Sequence, residues 1–216
     1  MRISMFVKGI LTATVAAMPL LCDAESNVQT GAATASPGAT AHVDFQVVIP
    51  KFLYLRVGTG SVYTGATPSY ANNGTIDLIN FTPTSAQVGT GTAVAATAAS
   101  GDLANGIETA AVVSNSGNVT LNATATGALS DGAGDSIAFT QITTTSSTLN
   151  SATALPAPVL TNGTSANVVI TAPATKVIVQ DAKWTYAYAN TTTPPAGTYG
   201  GVNTNNGRVV YTATMP

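Results

Sequence analysis

The residues able to carry chemistry are few. One histidine, His42, stands in "AHVDFQVVIP" on the polar side of an alternating run, where it reads as a surface strand residue. A Ser-His-Asp triad would have to use it, and no nucleophile-elbow motif presents a serine. The single cysteine, Cys22, lies close to the N-terminus. One histidine and no later cysteine leave the usual transition-metal ligand sets unfilled. Asp131 and Asp135 in "DGAGDS" suggest a calcium loop at first sight. An EF-hand loop, however, places oxygen ligands at alternate positions and closes with a glutamate at the twelfth. The spacing here fits a turn between two strands. The other carboxylates stand singly among threonines, so no pair is placed for general acid–base work. "VGTG" (57–60) and "VGTGTA" (88–93) carry glycines without a following lysine or helix, which a phosphate cradle requires. No cofactor is expected, and the chain does not read as an enzyme.

The aromatic residues form a clearer pattern. Trp184, Tyr186 and Tyr188 alternate, so they share one face of one strand. Tyr199 and Tyr211 follow. Such a row is either a core and cross-strand ladder or a sugar-stacking platform on an adhesin, and the core reading is preferred. Six Asn-x-Ser/Thr sequences occur, at Asn73, Asn80, Asn118, Asn122, Asn162 and Asn190. They matter only in a host that glycosylates this motif.

The elements that must carry these residues are strands. Thr makes up about one residue in six, and β-branched side chains favour the pleated strand over the helix. In "AHVDFQVVIP", Val43, Phe45, Val47 and Ile49 fall on one face. Pro50 then interrupts, having no N–H for a ladder, and a short strand continues in "KFLYLRV". Further strands are expected over 75–82, 107–114, 118–126, 136–144, 166–172, 176–180, 183–189 and 208–214. Val209, Tyr211 and Ala213 share one face of the last one. Turn clusters rich in Gly and Asn separate them. "GGVNTNNG" (200–207) reads as a flexible tip, and residues 87–106 as a loop or loose strand. No helical apolar period is present beyond the N-terminus. This pattern predicts an all-β fold: a single-domain antiparallel β-sandwich over 41–216, with a closed barrel as the other solution.

Residues 1–24 have the layout of a secretory signal peptide: basic Arg2 and Lys8, an apolar run from Gly9 to Leu21, and small Ala24. The alternative, a lipid anchor on Cys22, is opposed by Leu20-Leu21 before it. Residues 25–40 read as a flexible leader. Beyond residue 24 there are five basic and eight acidic residues, a net charge of −3. That is no electrostatic partner for nucleic acid. The mature chain has no disulfide to lean on, so its core must hold it alone.

An exported, nearly charge-free chain rich in Thr, Ala, Gly and Asn, with "PPAGTYGG" (194–201) before its last strand, resembles bacterial fimbrial (pilin) subunits of chaperone-usher systems. Their P-x-G-x-Y turn commonly precedes the final strand, and "NSGNVTLNATATG" (115–127) has a similar texture. The resemblance implies an incomplete immunoglobulin-like sandwich, completed by strand exchange. Its partners would be neighbouring pilin-like subunits or further copies of itself, with a periplasmic chaperone and an outer-membrane usher. Its location would be the periplasm and then the cell surface. The candidate assembly strand is Val43, Phe45, Val47 and Ile49. The same residues could equally be the first strand of a self-complete sandwich. The alternative function is a self-contained binding module of adhesin type.

Overall fold

The computed structural model describes residues 26–34, 36 and 38–216. The signal-peptide reading therefore lies outside the described residues. The chain divides into two units, Met1–Ile49 and Pro50–Pro216. Within the first, the described residues form neither helix nor strand.

The second unit is all-β. Its strands are β1 (Leu53–Val57), β2 (Val94–Ala95), β3 (Ile107–Ser114), β4 (Val119–Ala125), β5 (Leu129–Ser130), β6 (Ser136–Ile137), β7 (Ile142–Ser147), β8 (Val168–Ile170), β9 (Ile178–Tyr188) and β10 (Val209–Thr214). One sheet runs β1-β3-β9-β2, with β7 also on β9; a second runs β10-β4-β8; β5 and β6 form a small hairpin. All pairings are antiparallel. The two larger sheets pack on one another over a shared apolar core, which makes the fold a β-sandwich.

Strand composition explains the layering. In β4, Val119, Leu121, Ala123 and Ala125 are buried while Thr120, Asn122 and Thr124 alternate outward. β3 is buried on both faces, as its run of Ala110, Ala111, Val112 and Val113 demands. Ala110 and Val112 face the main core. Ala111 and Val113 face a smaller cluster with Tyr63, Phe52 and Tyr54 on the outer side of the sheet.

β9 is the spine of the larger sheet, pairing with β3 along one side and β7 along the other. It merges the two strands expected at 176–180 and 183–189. Asp181 falls in the gap between those two and is buried within β9. Its carboxylate accepts bonds from the Tyr63 hydroxyl (2.8 Å), the Asn150 backbone and side chain (2.9 and 2.8 Å) and the Ser151 N–H (2.7 Å). A buried anion so fully bonded need not break the ladder. Burial alone would raise its pKa. The bonds from Ser151, Asn150 and Tyr63 outweigh that and lower it to about 2.

Four expected elements differ. Residues 41–49, expected as the first alternating strand, form none. Segment 75–82 joins no strand; it is held by side chains, with Asp77 accepting the Thr59 N–H at 2.6 Å and the Thr59 hydroxyl at 2.9 Å. Ile79 and Phe81 still pack against the core. Segment 136–144 is broken by a 3-10 turn at Phe139–Gln141, where the buried Phe139 donates its N–H to Asn162 Oδ1 at 2.8 Å. The 200–207 tip is a stitched turn. Gly200 N–H donates to Ser130 O (2.8 Å), and Ser130 N–H donates to Asn205 O (2.9 Å). The left-handed φ values of Gly200, Asn203, Asn205 and Asn206 explain its composition.

Trp184 is fully buried and donates its indole N–H to Leu155 O at 2.8 Å. Trp184→Ala is expected to lower stability by about 3–5 kcal/mol. Urea denaturation followed by far-UV circular dichroism measures this.

Candidate functional site

The site candidates fall into two groups, one buried and one exposed. Trp184, Tyr186 and Tyr188 are 0%, 6% and 5% exposed. They face the interior, so no sugar-stacking platform is formed from them. Trp184 and Tyr211 rings lie 5.3 Å apart, and the Tyr186 and Tyr211 hydroxyls are 2.8 Å apart. Because β9 and β10 belong to different sheets, these contacts join the two layers.

The terminal strand is therefore pinned by its inner face. Val209, Tyr211 and Ala213 are half-buried against the core, while Val210 is exposed. Its ladder to β4 runs from Val209↔Ala125 to Thr214↔Thr120. Among the described residues no strand pairs on its other side. β1 likewise ends the larger sheet, with Leu53, Leu55 and Val57 half-buried. β1 and β10 meet across the sandwich, so two open edges lie on one side of it. An open edge presents backbone N–H and C=O groups that a further strand can pair. The "PAGTY" turn enters this strand: Tyr199 donates its hydroxyl to Pro195 O at 2.8 Å and closes the loop on itself.

Val43, Phe45, Val47 and Ile49 are 73%, 91%, 84% and 75% exposed, and no strand includes them. His42 and Asp44 lie in the same exposed run. Four apolar side chains on one face, all in water, are an unusual cost for a chain with few charges to solubilise it.

The remaining polar clusters are structural. Asp131 Oδ1 accepts the N–H groups of Ala133, Gly134 and Asp135, the geometry of a tight turn. These bonds hold its carboxyl below the usual range. Asn190 is buried and clamps the 87–92 loop, accepting from Gly89 N–H (2.9 Å) and donating to Thr92 O (3.3 Å). This explains the glycines of "VGTGTA" without a phosphate, and it closes one of the six Asn-x-Thr sequences to modification in the folded chain. Among the described residues no group of His, Cys, Asp or Glu could hold a metal ion. No described helix is long and apolar enough to cross a membrane. No family model, curated protein or solved structure was found to match this chain.

Sequence reading missed Glu108. It is 4% exposed and shares the inward face of β3 with Ala110 and Val112. It accepts the Asp102 N–H at 3.3 Å, while Arg56 pairs with Asp102, at 2.8 Å. Alternation within "IETAAVVS" was the available signal: Glu108 has the parity of the core residues. Burial pushes its pKa up, the Asp102 N–H opposes this, and the Asp77 and Asp102 charges raise it further, to about 8.

The sign of the effect on stability follows. Below about pH 4.5 both folded and unfolded chains hold the proton. Between about 4.5 and 8 only the folded chain does, so stability falls as pH rises, then levels off. Glu108→Gln is expected to add about 3 kcal/mol of stability at pH 7 and to flatten this slope. Urea midpoints for both proteins from pH 4 to 9 check it (about five points suffice).

Proposed function

We propose that this protein is a non-enzymatic structural subunit of a bacterial surface fibre, assembled by β-strand complementation. The observation that carries the reading is the exposure of Val43, Phe45, Val47 and Ile49, each at least 73% exposed, in a chain whose terminal strand pairs with β4 along one edge and, among the described residues, has its other edge open. The physics is strand addition. Backbone hydrogen bonds supply affinity, and alternate apolar side chains fill the gap between the sheets. On this reading the sandwich is immunoglobulin-like. The apolar row of one copy, or of a neighbouring pilin-like subunit, lies along β10, with Leu53, Leu55, Val57, Val209, Tyr211 and Ala213 beneath it.

Export by the signal peptide, handling by a periplasmic chaperone and an outer-membrane usher, and display at the cell surface belong to the same proposal. The "PAGTY" turn before the terminal strand supports it, as does the shortage of catalytic side chains. The adhesin alternative loses its candidate platform, since Trp184, Tyr186 and Tyr188 are core residues.

Phe45→Asp replaces a side chain whose burial is worth roughly 1.5–3 kcal/mol with a charge. It is expected to abolish fibres seen by electron microscopy and long species in size-exclusion chromatography, with circular dichroism unchanged. A peptide spanning residues 41–50 added to a chain lacking them should raise its thermal midpoint. A strictly monomeric native chain, together with no response to the peptide, would overturn the proposal.

A further inference from the structure

Four Asn-Gly pairs occur, at Asn73, Asn105, Asn162 and Asn206. Glycine, lacking a Cβ, shields its own nitrogen least, and that nitrogen can attack the preceding side-chain amide carbon. The fold separates the four. Gly106 N–H donates to Ser100 O at 2.7 Å, and a Cβ there would stand 2.5 Å from that of Ala96. Gly207 N–H donates to Thr204 O at 2.8 Å, with Gly201 packed against it. Asn105 and Asn206 hold left-handed φ values of 53° and 58°. Gly163 N–H donates to the Thr161 hydroxyl at 3.4 Å, and the Gly163 carbonyl accepts from Ala125 N–H at 3.1 Å. In all three the nitrogen that must attack is already hydrogen-bonded.

Asn73 is different. It is exposed, and among the described residues Gly74 N–H makes no hydrogen bond. Nothing lies within 4 Å of a Cβ built on Gly74. Thr75 N–H donates to Asn73 Oδ1 at 2.7 Å. That bond polarises the amide carbonyl and favours negative charge on its oxygen, as an oxyanion-hole donor does.

We propose that Asn73 is a site of spontaneous covalent modification, closing on Gly74 to a succinimide that water opens to aspartate and isoaspartate. The Gly74 nitrogen loses its proton and bonds to Asn73 Cγ. The Cγ–Nδ2 bond breaks, and ammonia leaves carrying that proton. Water then adds to either ring carbonyl and breaks its bond to the nitrogen. One water is consumed and one ammonia released, with no oxidant or reductant. The product carries a new negative charge on the loop that leads to Asp77, and the Asn-Gly-Thr acceptor sequence is lost.

The test is incubation of the folded full chain in heavy-oxygen water at mildly alkaline pH, followed by peptide mapping. Heavy oxygen is expected at position 73 at least about tenfold faster than at 105, 162 or 206, a difference of about 1.4 kcal/mol in barrier. In urea-unfolded chain the four sites should react at similar rates. Gly74→Ala, which has open space for its methyl group, should slow position 73 by about tenfold with the thermal midpoint unchanged. Equal reaction at another Asn-Gly pair in the folded chain, or a rate at 73 indifferent to Gly74→Ala, would overturn the proposal.

Discussion

The contact between Trp184 on β9 and Tyr211 on β10 holds the two layers in register. An indole cannot be buried without an acceptor for its N–H. Leu155 O supplies one at 2.8 Å, and this draws the loop after β7 across the sheet. The Tyr186–Tyr211 hydroxyl pair adds a polar tie between the layers. Because these contacts use only the inner face of β10, they fix its position and leave its backbone edge open. Stability and the open edge thus have one origin.

Charge is spent sparingly, and its two buried instances are opposites. Asp181 lies on the outer side of β9 with donors from three residues, and it is stabilised as an anion. Its bonds also anchor the loops that carry Tyr63 and Asn150. Glu108 lies on the inner side of β3, and burial, with the Asp77 and Asp102 carboxylates near it, raises its pKa to about 8. A low dielectric rewards complete bonding and penalises a bare charge, and the two residues show both outcomes.

The fibre reading and the fold meet at the sheet edge. A sandwich without disulfides depends on its core, and an unpaired edge strand beside half-buried apolar residues leaves that core incompletely covered. An alternating apolar segment of the right chemistry exists in the same chain. Both features are consequences of patterning, with no catalytic group involved.

Much of this was legible beforehand because strands write themselves at period two. Residues 119–125 bury alternate side chains as their pattern predicts, and Trp184, Tyr186 and Tyr188 share a face for the same reason. Alternation also marked Val43, Phe45, Val47 and Ile49 as one apolar row. What alternation cannot carry is pairing, since a ladder needs a partner that is remote in the chain. The 75–82 segment has strand chemistry but is held by Asp77 and Thr59 and joins no ladder. The expected strands 176–180 and 183–189 join into one, with Asp181 between them bonded by Tyr63, Asn150 and Ser151. The all-β class, the faces of the strands and the residue types at hand for chemistry follow from residue order, because they are local properties of side chains. Which aromatic residues are core, how each buried acid is held and which edge stays open came with the folded chain, because burial, solvation and pairing depend on residues far apart in the chain.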